Sequence, residues 1–495
     1  MTSVSDHLHD SLATITDLVD ILGPVYQKAT IETLSDNVLL EIFAFCLQTD
    51  ERIDPWYSIY EANQSYPYDA WYTLVHVCQR WRYVALASPR RLNLRLLCSG
   101  RRHVRGTLRV WPALPIVIWD TMDFESDEDN IIAALEHRYR VCEIKLKRFT
   151  GSQSEKLLPF MQDPFPLLTN LQIESYLHAG DKVPILPHSF LGSSAPHLRS
   201  LYLESVSFPA LPNLLLAASQ LVCLYLSCIP MGFISPEMAA ALSVLTRVEH
   251  MHLVFGSPVS GSDKENRLPL PLTRSVLPAL KWLRLRGGGE YLDDFVARID
   301  VPSINFLGIS LTNRPFPLFD LFHLPQFIRR AENFRSLDYA TIELSTNVTL
   351  SMHTSAPGTG VQLNVLYSSD GPLPTLVQAC RSSLLPLSTA QCLNITTKYP
   401  YWQSHTILDM GGRQWIEILR TFSAAKRLSL GSMHIVTPVA FVLKQVIEEG
   451  LTDVLPAIQE LFVSWSVPAE PLRQAIERFV VARGLPGFET PTLSG

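Results

Sequence analysis

Along the first hundred residues, apolar side chains recur every three or four positions, the spacing that aligns them on one stripe of a helix. Leu8, Leu12, Ile15, Val19 and Leu22 form such a stripe, which Gly23-Pro24 ends. This helix either packs on its own domain or pairs with a second copy of the chain. The segment TLSDNVLLEIFAFC, 33–46, predicts a second helix capped by Ser35 or Asp36, with Val38, Leu39, Ile42, Phe43 and Cys46 on a wide apolar face. Residues 47–69 break the pattern and read as a polar and aromatic loop. A third helix follows in DAWYTLVHVCQRWRYVALASPR, with Asp69 as its cap, Trp71, Leu74, Val75, Cys78, Trp81, Val84 and Ala85 as its apolar spacing, and Pro89 as its stop.

From about residue 141 the pattern changes to apolar-x-x-apolar-x-apolar, returning at intervals of 23 to 32 residues through Leu337. It runs through Val141-Ile144-Leu146, Leu168-Leu171-Ile173, Leu198-Leu201-Leu203, Leu221-Leu224-Leu226, Val248-Met251-Leu253, Leu280-Leu283-Leu285, Ile304-Leu307-Ile309 and Phe334-Leu337-Tyr339. After a gap containing VQLNVLY, itself strand-like, come Ala390-Leu393-Ile395, Ala425-Leu428-Leu430 and Ile458-Leu461-Val463. The period brackets that of leucine-rich repeats. The last part of each triplet has period two, so each strand turns two apolar residues inward and leaves its alternate positions on an open face. Runs such as SPEMAAALSVL and GGRQWIEILRTF offer helices between the strands. No coil of this kind buries its apolar side alone, so the prediction is a stacked, curved parallel sheet. Leu472, Ile476, Phe479 and Val480 supply a capping helix at its end.

The two N-terminal elements carry a resemblance. LSDNVLLEIF followed by LVHVCQRWRYVALASPRRLNL resembles an F-box, more closely the F-box-like segment common in proteins of mushroom-forming fungi, over about residues 31–98. Two features depart from that pattern. The usual Leu-Pro opening is Leu34-Ser35, and the 47–69 insert separates the helices. The resemblance implies a three-helix unit that docks onto the S-phase-kinase-associated adaptor of a cullin-RING ubiquitin ligase, through Leu34, Val38, Leu39, Ile42, Phe43, Val77, Cys78 and Trp81. It also implies a substrate-recognition subunit that holds a protein target on its repeats while other subunits transfer ubiquitin. The alternative is a non-catalytic interaction scaffold whose F-box-like module no longer binds the adaptor.

The expected fold class is therefore α/β: an N-terminal helix over 1–30, the F-box-like module over 31–98, a charged linker or start of the repeats over 99–139, an irregular leucine-rich-repeat-like solenoid over 140–485 and a tail over 486–495. Tyr202, Tyr225, His252, Trp282, Arg284, Phe306, Asp338 and Phe462 would face the open, concave side as the target-binding set, because aromatics and arginine are the types enriched at binding hot spots.

Composition narrows the function classes. With 495 residues, 47% hydrophobic and 18% charged, the chain has the apolar content for a large core, and a net charge of −6 argues against a general nucleic-acid coat. Eight cysteines without a CxxC pair read as reduced thiols, and with no basic-hydrophobic leader and no ~20-residue apolar run the expectation is a cytoplasmic or nuclear protein away from membranes. Residues 71–119 hold nine arginines and no acid, followed by six carboxylates between Asp120 and Asp129. A solvated charged face offset by that acidic loop is the expected arrangement. Catalytic signatures are missing: GGGE at 287–290 lacks phosphate-loop spacing and reads as a turn, and His250 and His252 share a strand face without a third ligand. No catalytic residue, metal or cofactor is expected.

Overall fold

The computed structural model describes residues 34–47, 70–122, 126–176, 182–229, 236–256, 274–312, 321–345, 347–355, 358–366, 372–382, 384–397, 412–463, 470–486 and 488–489. The predicted 8–22 helix, the Asp69 cap, the insert beyond residue 47 and the last residues of the tail lie outside them. The described chain is a mixed α/β fold of mostly parallel sheet and short helices, in two compact units divided near residue 176. Among the described residues no helix is long and apolar enough to cross a membrane.

The first unit opens with helices α1 (Asp36–Cys46), α2 (Ala70–Val77) and α3 (Gln79–Ala87). Strands β1 (Leu96–Cys98), β2 (Ile116–Asp120), β3 (Val141–Lys147) and β4 (Asn170–Glu174) then pair in parallel and in chain order. Helices α4 (Val104–Val110), α5 (Glu128–Leu135) and α6 (Gly151–Leu157) connect them. The helical core is continuous with the 99–139 segment, expected as a charged linker or start of the repeats, since Leu114 is buried with Leu39, Phe43, Trp81 and Leu96, and Trp111 packs against the same cluster.

The second unit contains the long sheet, ordered β5-β6-β7-β9-β11-β14-β13-β12-β15-β16-β17-β18, with β13 spanning Val348–His353. Its parallel strands are β5 (Ser200–Glu204), β6 (Cys223–Ile229), β7 (His250–Phe255), β9 (Trp282–Gly287), β11 (Phe306–Leu311), β12 (Tyr339–Leu344), β14 (Gly360–Val365), β15 (Cys392–Thr397), β16 (Arg427–Leu430), β17 (Glu460–Val463) and β18 (Phe488–Glu489). Leu201, Leu224, Met251, Leu283 and Leu307 stand opposite one another in adjacent parallel strands, the register that the triplets predict. A short parallel pair, β8 (Ser275–Val276) with β10 (Ile299–Asp300), lies apart from this sheet.

A turn of one kind recurs before most of the triplets. The amides of Leu198, Leu280 and Ile458 bond to the carbonyls of Ala195, Leu277 and Leu455, three residues earlier, at 3.1, 3.3 and 3.2 Å. In all three the second turn residue is proline, whose fixed φ suits that position. The first apolar residue of the triplet is thus fixed by local chemistry before any strand pairs.

One section departs from the expected parallel stack. Strand β13 (Val348–His353) runs antiparallel to both β12 and β14, so the 337–393 gap is filled by a three-stranded excursion. VQLNVLY supplies β14, as its alternation predicts. Inward on β13 point the alternate residues Val348, Leu350 and Met352, all buried.

Candidate functional site

Two surfaces carry the expected site residues, one in each unit. In the helical module, Ser35 caps α1, its side chain accepting from the Val38 amide at 3.4 Å. The core side of α1 is Leu39, Leu40 and Phe43; Phe43 meets Trp81 at a ring separation of 4.8 Å. The expected apolar face is corrected here. Val38 is exposed, Ile42 and Cys46 are half-buried, and Phe45 is 70% exposed. Spacing identified an apolar helix, but α1 has more apolar residues than one core-facing sector holds. Val38, Ile42 and Phe45, at i, i+4 and i+7, line a second stripe that faces away from that core.

The single helix expected over 69–88 is broken. Cys78 is extended (φ −157°, ψ 171°) and caps α3, its Sγ accepting from the Trp81 amide at 3.4 Å. Cys78 and Val77 are exposed rather than part of an apolar helix face. Of the adaptor-binding set, Leu39, Phe43 and Trp81 are therefore core, Leu34 and Ile42 half-buried, and Val38, Val77 and Cys78 surface. Tyr83, on α3, is also largely exposed and was not singled out by spacing. Another missed feature is the aromatic group of Trp71, Tyr72 and Trp111, with ring separations of 4.2 to 5.1 Å.

Four arginines of the run form ion pairs with carboxylates among the described residues. Arg80 pairs with Asp36 at 2.8 Å, Arg91 with Glu41, Arg95 with Glu143 at 3.1 Å and Arg105 with Glu136 at 3.4 Å. Two carboxylates of the acidic loop hold backbone. Asp120 is buried and accepts from the amides of Gly100 and Met122 and the Ser126 hydroxyl, while Asp127 caps α5 by accepting from the Asp129 amide at 3.0 Å. Glu143 is 2% exposed along its side chain and is gripped from both sides, by Arg95 and by Lys145 at 2.7 Å.

In the second unit, strand register sorts the alternate, non-core positions into rows. One row contains Cys223, His250, Trp282 and Phe306; the next contains Tyr202, Tyr225, His252, Arg284 and Gly308. Tyr202 and Tyr225 stack at 3.9 Å, His252 meets Tyr225 edge-on at 4.7 Å, and all three are buried. Their burial limits the part of the predicted set that a partner can touch. Trp282 and Phe306 stack at 4.7 Å and remain partly accessible, with the Arg284 guanidinium 5.4 Å from the Phe306 ring centroid. Gly308 makes this possible, because a Cβ there would come within 3.1 Å of Arg284 Cγ and 3.2 Å of Phe306 Cε1.

Two members of the predicted set lie elsewhere. Asp338 precedes β12 and sits at its entry, where its amide donates to the His353 carbonyl at 3.3 Å. The Phe334-Leu337-Tyr339 frame is shifted: Leu337, Ala340 and Ile342 are the buried triplet, and Tyr339 occupies the alternate row, stacked on His353 at 5.5 Å. Phe462, on β17, is half-buried beneath the Arg427 guanidinium at 5.1 Å, far along the strand order from Trp282.

Electrostatics on this face favour neutral imidazole and protonated phenol. Burial, with Arg284 and Arg286 beside it, pushes His252 down to about 4. Tyr202 is held well above the usual phenol range by burial, by its neighbour Tyr225 and by its hydrogen bond to Glu204. Burial pushes the thiols of Cys98 and Cys380 up to about 12, so neither offers a thiolate at neutral pH. Among the described residues no group of three or more His, Cys, Asp or Glu is placed to hold a metal ion. GGGE is a strand-to-helix turn, β9 ending at Gly287 and the helix Gly289–Ala297 beginning two residues later. No protein-family model matches the chain, and no curated protein matches it either.

Proposed function

We propose that this chain is a substrate-recognition subunit of a cullin-RING ubiquitin ligase, with a degenerate leucine-rich-repeat sheet as its target-binding part and no chemistry of its own. The observation that carries the reading is the division of labour within the F-box-like segment. Leu39, Phe43 and Trp81 build the module's core, while Val38, Phe45, Val77 and Tyr83 remain exposed. An apolar stripe of this kind is a feature to be covered, and the resemblance names the adaptor as what covers it. Supporting it in the second unit is the accessible Trp282–Phe306–Arg284 group, composed of residue types that dominate binding energy. In this reading catalysis belongs to the transferase, and the receptor contributes by raising the local concentration of the target.

The test is co-expression of the full chain with the adaptor, followed by size-exclusion chromatography, for the wild type and for Phe45→Glu. Phe45 is so exposed that its replacement should leave the folded state within ~0.5 kcal/mol of wild type. Co-migration of the wild type and its loss in the folded variant are expected. A folded wild type that elutes separately from the adaptor favours the scaffold alternative.

A further inference from the structure

The strands at the centre of the second unit's sheet have an unbalanced charge. No acidic residue occurs anywhere in β7, β9, β11 or β14, whose sequences are HMHLVF, WLRLRG, FLGISL and GVQLNV. Their alternate positions nevertheless include Arg284 and Arg286, two residues apart on one face of β9. Neither arginine forms an ion pair among the described residues, and Arg286 is exposed. The nearby carboxylate of Glu249, at the entry to β7, is engaged by Lys281 at 2.8 Å. Two unneutralised guanidiniums side by side repel each other, which an arriving anion would relieve.

The surroundings are arranged to receive that anion. Gly308 stands opposite Arg284 and leaves room over β11 for the Arg284 stem and the Phe306 ring, which holds the guanidinium 5.4 Å from the ring centroid. Ser310 stands opposite Arg286; its Oγ accepts from Asn364 Nδ2 at 3.3 Å, which leaves the hydroxyl proton to donate outward. Asn364 is itself positioned by Thr349, whose hydroxyl donates to its Oδ1 at 2.8 Å. Neighbouring His252 lies in the same row as Arg284, edge-on to Tyr225, and brings no negative charge to the site.

We propose that Arg284, Arg286 and Ser310 form an anion-receiving site for an acidic side chain, carboxylate or phosphate, on an extended segment of the protein target. This deepens the target-binding reading above and rests on it. Trp282 precedes Arg284 by two residues on the same face, a separation of about 7 Å along the strand. An extended peptide has the same repeat, so the preferred segment carries an apolar residue two positions from its anionic one. The apolar residue covers Trp282 and Phe306 while the anion meets the two guanidiniums as charge-assisted hydrogen bonds.

The full chain is probed on peptide arrays with a fixed central glutamate, phosphoserine, glutamine or serine and randomised flanks. Retention at least tenfold greater on glutamate or phosphoserine than on the neutral pair is expected, with apolar residues enriched two positions away; which acid is retained identifies the anion. Arg286→Ala and Arg284→Ala together should lower retention to the neutral level without moving the thermal transition, and Arg286→Ala alone, at an exposed position, guards against a folding defect. Equal retention on charged and neutral arrays, or retention unchanged by the double variant, overturns the site. If neutral peptides are retained through Trp282, as shown by loss in Trp282→Ala, the anion site is refuted while the aromatic face stands as a binding surface. Adaptor binding, read by chromatography, is independent of every arm.

Discussion

Glu143 is the position where one substitution should reveal most about how the first unit is held together. Its carboxylate is almost wholly removed from water and takes Arg95 on one oxygen at 3.1 Å and Lys145 on the other at 2.7 Å. Arg95 lies between the helical core and β1, so the contact ties the N-terminal helices to the sheet of the same unit. Removing one partner of a fully buried ion pair costs about 3–5 kcal/mol, because the remaining charge stays desolvated. Here Arg95 and Lys145 retain 25% and 14% exposure and can recover part of their hydration, which lowers the expectation for Glu143→Ala to about 2–3 kcal/mol. Glu143→Gln keeps an acceptor and the side-chain volume and should cost less. Urea unfolding of the full chain, followed by tryptophan fluorescence, reads the loss; a cycle with Arg95→Ala should return a coupling of about 1–2 kcal/mol. A Glu143→Ala variant within ~0.5 kcal/mol of wild type would refute the reasoning and make the triad an incidental contact.

Replacing Ser35 by Ala removes the α1 cap and should lower stability by about 1 kcal/mol in the same assay, whereas Ser35→Asp should retain it. His252 gives a pH dependence. Its folded pKa of about 4 lies below the ordinary value of 6.5, so the unfolded state binds the extra proton and stability is lost as pH falls from about 6.5 towards 4. The full effect is about 3 kcal/mol, and His252→Gln should flatten the difference in unfolding free energy between pH 7 and pH 4.5; an unchanged slope would remove His252 as its source.

The repeat was legible because each coil repeats the same local instruction. A turn fixes the first apolar residue, and the period-two strand then fixes the other two, which is why Leu201, Leu224, Met251, Leu283 and Leu307 fall into line. The frame failed where the instruction is ambiguous. Phe334, Leu337 and Tyr339 match the triplet spacing as well as Leu337, Ala340 and Ile342 do, and small Ala340 carries little apolar signal although it is buried. Direction was invisible for β13, since alternation of Val348, Leu350 and Met352 is the same in parallel and antiparallel pairing.

Burial within the candidate sites was harder to read than membership of a face. Tyr202, Tyr225 and His252 occupy the predicted row but are enclosed, and aromatic type alone does not separate a stacked interior residue from an accessible one. In α1, spacing shows an apolar helix but not which of two apolar stripes meets the core; the choice depends on Trp81, Leu92 and Leu94, which arrive from later in the chain. The break at Cys78 went unseen because Val77, Cys78 and Trp81 are compatible with continuous helical spacing, and the cap is made by a thiol, a weak acceptor rarely read as a helix start.

The most direct measurement is hydrogen exchange of the full chain with and without the purified adaptor. The proposed function predicts adaptor-dependent protection in peptides covering Asp36–Cys46 and Ala70–Ala87, around Val38, Phe45 and Val77, with the exchange of Trp282–Gly287 and Phe306–Leu311, the face proposed for the target, unchanged. Absence of any adaptor-dependent protection in a folded chain, or protection confined to the sheet strands, would contradict it.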